Sequence, residues 1–166
     1  MGVAPRSAGR GNRGIYSLVP IMKSNSQNGI TLSITGNQNP DQHPAYYAFD
    51  GVFPSVTNVS RPQDYTYVNC LAAGKMSIYI SFPTKKRIYS LLQIPIAGNG
   101  FGIGAIDLYA KDEHGDYVKL RTGEHSLGIT FMESENVQAY KEYRIDCYRG
   151  GTTTGCGIAQ LQIFGR

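Results

Sequence analysis

Four stretches of the sequence alternate apolar and polar residues, and none repeats at the helical period. In Met76-Ser-Ile-Tyr-Ile-Ser-Phe82, the side chains of Met76, Ile78, Ile80 and Phe82 fall on one face of an extended chain. Ile30 to Ile34 does the same, and Ala105 to Ala110 sends Ile106 and Leu108 inward. Tyr140 to Tyr148 sets Tyr143, Ile145 and Cys147 against Arg144, Asp146 and Tyr148. A period of two places alternate side chains in a core and the rest in water, which defines half-buried strands. Further apolar runs at Ile15 to Val19, Arg87 to Ala97, Tyr117 to Leu120, Leu127 to Phe131 and Ile158 to Phe164 add strands. Pro83 is expected to end the clearest strand, and Asp112 to Asp116 to form a hairpin turn. Ala45 to Gly51 reads as a compact apolar turn, with polar loops at Gly36 to Pro44 and Val52 to Asp64. Regularly spaced short strands in 166 residues predict one all-β domain, an antiparallel two-sheet jelly-roll β-sandwich. Its core should hold Ile78, Ile80, Phe82, Ile106, Leu108, Tyr143 and Ile145.

Charge divides the chain in two. Residues 1–19 form a basic, glycine-rich arm carrying Arg6, Arg10 and Arg13, and residues 20–166 form the sandwich. Lys23 is the next basic residue and no acid precedes it, so the net charge of +4 sits at the N-terminus over a balanced body. A balanced body lacks the basic patch that nucleic acid requires, and no nucleic-acid partner is expected. The first residues lack the apolar core of a signal peptide, and no apolar run approaches the roughly 18 residues of a membrane span. Arg6 stands where N-myristoylation wants Ser or Thr. Asn58-Val-Ser60 is a formal glycosylation sequon that reads as chance.

Little here suggests catalysis. His43, His114 and His125 sit in polar loops and turns, with no His-x-x-x-His or Cys-x-x-Cys spacing. The glycines from Gly98 to Gly104 miss the dinucleotide-binding pattern and precede a strand instead of a helix. Cys70 reads as a small core residue. Cys147 and Cys156 flank a Gly/Thr-rich turn. Adjacent antiparallel strands there would bring them within disulfide reach, and a reduced pair is the other reading.

Ala48-Phe-Asp-Gly51 is similar to the early turn of the discoidin, or galactose-binding-like, family of coagulation-factor C-type jelly rolls. The segment Ser77 to Ile88, the Gly-containing hairpin within Ala105 to Leu120, and the closing pair Tyr143-Arg-Ile145 and Ile158 to Gly165 resemble the same family. The resemblance spans about residues 20–166. The family's Trp after the first turn is missing, and Tyr65 or Tyr67 takes its place. In carbohydrate-binding members a closing-strand Glu helps hold a structural calcium near the Asp-Gly turn. Here Gln160 stands there, so Asp50 and Gln160 are weak calcium candidates and no other cofactor is implied.

The resemblance further implies ligand-binding loops at one end of the sandwich. Here they carry Asn58, Arg61, Asp64, Tyr65, Asn99, Phe101 and Arg149. Rings, amides and guanidinium donors suit a sugar, and equally a protein contact. An arm joined to such a sandwich is similar to head-decoration, collar and fibre proteins of tailed phages. The expectation is therefore a complete, non-enzymatic structural or attachment component of a phage virion, assembled in the host cytoplasm. Its partners would be protein subunits, itself included, with Arg6, Arg10 and Arg13 as anchor and Ile15 to Val19 added to a neighbour's sheet edge. The alternative is a lectin-like module recognising a cell-surface glycan.

Overall fold

The computed structural model describes residues 14–37, 39–52, 67–70, 74–95, 103–124, 129–130, 138–150 and 155–166. The arm residues Arg6, Arg10 and Arg13 lie outside them. The described residues form eleven strands: β1 Tyr16–Ser17, β2 Ser26–Gln27, β3 Ile30–Thr35, β4 Val68–Cys70, β5 Lys75–Lys86, β6 Ile88–Pro95, β7 Ile103–Lys111, β8 Tyr117–Glu124, β9 Ile129–Thr130, β10 Tyr140–Arg149 and β11 Cys156–Gly165. A short 3-10 turn, Ala45–Phe49, is the only helical element among the described residues. None of the described helical structure could cross a membrane.

All pairings are antiparallel and form two sheets. One runs β2-β3-β5-β10-β7-β8, and the other runs β1-β11-β6-β9, with β4 pairing β11 alongside β1. The predicted sandwich is therefore present. All seven expected core residues lie between the sheets with at most 1% of their surface exposed.

Three details differ from expectation. Pro83 does not end β5, which continues to Lys86. The register with β10 shifts between Glu142↔Ser81 and Tyr140↔Lys86, and a proline in such a bulge forfeits no ladder hydrogen bond. The strands β2 and β4 have no period to betray them, being two and three residues long. The segment expected to join a neighbour's edge joins its own sheet: Tyr16 pairs Gly165, and Leu18 and Val19 are buried.

The compact turn is braced from the closing strand. Gln160 of β11 accepts the Gly51 N–H at 3.1 Å and donates to the Ala48 carbonyl at 2.9 Å. Gly51 has φ 76°, where a side chain would be strained, and its Cα faces Ile21. The Asp112–Asp116 hairpin forms as predicted, with Asp112 Oδ1 accepting the His114 and Asp116 N–H groups.

Candidate functional site

The register gathers several strand termini at one end of the sandwich. Thr35 lies opposite Ser77, Lys75 opposite Tyr148, Ile103 opposite Arg149, and Cys156 opposite Cys70. Of the residues expected to bind ligand, Asn58, Arg61, Asp64, Tyr65, Asn99 and Phe101 lie outside the described residues. Arg149 is placed at this end and its side chain is exposed. Its N–H donates to the Gly74 carbonyl at 2.9 Å. A Cβ at Gly104 would come within 2.8 Å of the Arg149 carbonyl oxygen, so this close crossing of β7 and β10 requires glycine. The guanidinium is thus carried on a fixed stretch of backbone.

A second group was not foreseen as a site. The His43 ring lies on the Tyr67 ring with centroids 4.4 Å apart and planes 30° from parallel. Tyr67 packs in turn, as Ile94 does, against Ala159 of the five-stranded sheet. Asn37, just past β3, donates its amide to the His43 carbonyl and so shapes the loop that carries the ring. Asn69 lies two residues beyond Tyr67 in extended chain, on the same side. Burial pushes the His43 pKa below its ordinary value, partly opposed by a hydrogen bond to the Tyr67 backbone. The ring is therefore neutral at neutral pH.

Three buried atoms of this group, Asn37 Oδ1, His43 Nδ1 and Asn69 Oδ1, have no hydrogen-bond partner among the described residues. Buried polar atoms are nearly always satisfied, by protein, water or ligand. As oriented, all three are acceptors, which suits a partner rich in hydroxyl donors. No sequence signal joins positions 37, 43, 67 and 69; only the path of the loop along β4 does.

Of the two readings of Cys147 and Cys156, the reduced one holds, and the adjacency behind the other does not. Cys147 belongs to β10 in one sheet and Cys156 to β11 in the other, so they are not on adjacent strands. Cys156 instead faces Cys70 across β4, and all three thiols are free and buried. The Cys156 thiol donates to the Cys147 carbonyl at 3.5 Å across the core, and its interaction with the Cys70 sulfur holds Cys70 below the ordinary thiol range while pushing Cys156 up. The Cys147 thiol is pushed up by burial.

Calcium does not fit the described donors. The Gln160 oxygen is occupied by Gly51, and Asp50 Oδ1 accepts the Val52 N–H at 2.9 Å. Among the described residues no three His, Cys, Asp or Glu side chains converge. Calcium takes six to eight oxygens, so Gln160 acts as the brace of the turn.

No protein-family model and no curated protein sequence matches this chain. Solved structures do. The family 32 CBM (carbohydrate-binding module) from C. perfringens NanJ, in complex with galactose, superposes with a TM-score of 0.61 at 20% identity, covering 90% of this chain and 98% of that one. CBM32-3 from a family 31 glycoside hydrolase of Clostridium perfringens gives 0.57 at 15% identity, covering 81% and 91%. Chitosan-binding module 1 from a Paenibacillus sp. IK-5 chitosanase/glucanase gives 0.58 at 16%, covering 82% and 96%. With two antiparallel sheets and strands matched over nearly the whole length of these modules, the chain has the discoidin-type, galactose-binding-like jelly-roll fold.

Proposed function

We propose that this chain is a non-catalytic carbohydrate-binding module that takes a glycan at the end of the sandwich bearing His43, Tyr67 and Arg149. The observation that carries the reading is the set of three buried acceptor atoms around the His43–Tyr67 stack. A sugar supplies hydroxyl donors to such acceptors and an apolar face to an adjoining ring. Arg149, exposed at the strand termini, would add guanidinium donors, and a neutral His43 presents an acceptor without a charge to desolvate. The fold adds weight, because the modules it resembles include one solved with galactose and one named for chitosan binding. Those comparisons favour a glycan-binding module over the virion-component reading, which draws no support from them.

A glycan array probed with the intact chain at high surface density tests this. His43→Ala and Arg149→Ala should each lower the bound signal about tenfold, the effect of losing one or two hydrogen bonds to a ligand (about 1.4 kcal/mol). Their melting temperatures should stay close to that of the parent, since neither side chain is in the main core. An intact chain that binds no glycan on the array overturns the reading.

A further inference from the structure

The outer face of the six-stranded sheet is built of matched cross-strand rows. Register aligns Ser33, Tyr79, Arg144, Tyr109 and Lys119 in one row, and Thr35, Ser77, Asp146, Asp107 and Thr122 in the next. A third row begins Thr31, Ser81, Glu142. Alternation turns all of them away from the core.

The second row is closed on itself. Asp107 and Asp146 are directly opposed and buried, a repulsive arrangement in isolation. Ser77 and Lys75 hold Asp146 at 2.7 and 3.2 Å, while Thr122 and Lys119 hold Asp107 at 2.6 Å each. The hydroxyls of Ser77 and Thr122 and both carboxylates there already have partners.

The other two rows differ. Strands β5 and β8 are three places apart, about 14 Å at normal strand spacing. The Tyr79 and Tyr117 rings nevertheless meet edge to face, with centroids 5.8 Å apart. Tyr117 therefore leans back across β7 and β10, above the Arg144 guanidinium, which lies 5.0 Å from its centroid and 4.0 Å from that of Tyr109. The two tyrosines wall a cleft of about 290 Å³ whose other lining side chains are Thr31, Ser33, Ser81 and Glu142. Among the described residues the three hydroxyls of this cleft make no side-chain hydrogen bond, in contrast to Ser77 and Thr122 on the same face.

We infer that this cleft is a second ligand site, for a neutral oligosaccharide lying along the outer sheet face beside the Tyr79–Tyr117 pair. The inference rests on the reading of the chain as a glycan binder, and adds a site remote from its loop end. Aromatic walls with unengaged hydroxyls match a sugar, which stacks by its apolar face and exchanges hydrogen bonds in both directions. Glu142 is the one charged residue of the lining. It is already paired with Lys111 at 3.1 Å, keeps acceptor capacity for a sugar hydroxyl, and disfavours an anionic sugar. A peptide would gain little here, because the flanking strands already use their backbone groups in the ladder and strand addition requires an edge.

Amide-resolved NMR titration of the intact chain tests the proposal, with hexasaccharides of β-1,4-linked glucose, N-acetylglucosamine and galactose as probes. For at least one probe, shifts should cluster at residues 31–33, 79–81 and 117, with a saturation curve distinct from that of resonances near His43 and Arg149. Tyr79→Ala and Tyr117→Ala should weaken the sheet-face curve about tenfold or more, as expected of aromatic anchors. The double variant Ser33→Ala, Ser81→Ala removes two hydroxyls without touching the core and should weaken the same curve. Shifts confined to the His43–Arg149 end, unchanged in these variants, overturn the second site and leave the loop-end reading standing. No shift with any probe removes both.

Discussion

Tyr143 shows how one side chain ties the core to the chemistry of its surroundings. Its ring is fully buried against Phe82 and Tyr140, and its hydroxyl donates to the Lys86 carbonyl. Burial pushes its pKa up to about 12, because a phenolate there would be stripped of water. An acid whose folded pKa is raised contributes full stability below its unfolded value near 10. That contribution is lost as pH climbs toward the folded value. Tyr143 by itself should therefore account for a loss of about 3 kcal/mol between roughly pH 10 and pH 12 in denaturant titrations, and Tyr143→Phe should remove that share of the slope. Asp107 behaves oppositely. Burial opposes its charge, but hydrogen bonds from Lys119, Thr122 and Tyr148 outweigh burial and hold it below the usual carboxylate range. Its contribution is present above that range and fades as pH falls through the folded value.

At the scale of elements, the closing strand β11 organises the molecule. It pairs β6 along one edge and both β1 and β4 along the other, and its Gln160 braces the Ala45–Phe49 turn. Near its end, the Arg87 and Arg166 backbones exchange hydrogen bonds at 2.8 and 3.1 Å, beside Gly165. A Cβ at Gly165 would overlap the Arg87 carbonyl oxygen and lie 2.7 Å from Leu18. These neighbours are backbone and buried core, so neither can swing away. Gly165→Ala should cost about 1–3 kcal/mol by overpacking, with the loss read as a lower urea midpoint at unchanged slope. A neutral outcome would mean that β1 and the β6 start shift freely, against the pairing seen.

For the molecule as a whole, the two sheets stand or fall together through one continuous core. Ile80 contacts both neighbours of β5 through its register partners Leu32 and Tyr143 and is 1% exposed. Ile80→Ala should cost about 2–5 kcal/mol, seen by circular dichroism as a lowered melting point with the same all-β native spectrum. A spectrum dominated by helix would contradict the architecture. The candidate loop-end site and the sheet-face cleft should survive this change at temperatures where the domain stays folded, since neither uses Ile80's side chain.

The alternation of Met76 to Phe82, Ala105 to Ala110 and Tyr140 to Tyr148 was sufficient to determine the strands, their inward faces and the all-β class. A period of two is a local property, and burial follows from it directly. Ala48-Phe-Asp-Gly51 likewise disclosed its turn, because the demand for positive φ at Gly51 is local too. The tertiary structure alone decided what meets what. Cys156 pairs in register with Cys70 and meets Cys147 only across the core, because β10 and β11 go to different sheets, a choice no spacing encodes. His43 meets Tyr67, and Tyr79 meets Tyr117, across loop and strand separations that leave no periodic trace. Pro83 stays within its strand because β5 itself bulges there against β10. Strand formation is driven by each segment's own pattern of water and core. A binding site is a coincidence of distant segments, fixed only when the sheets close on a common interior.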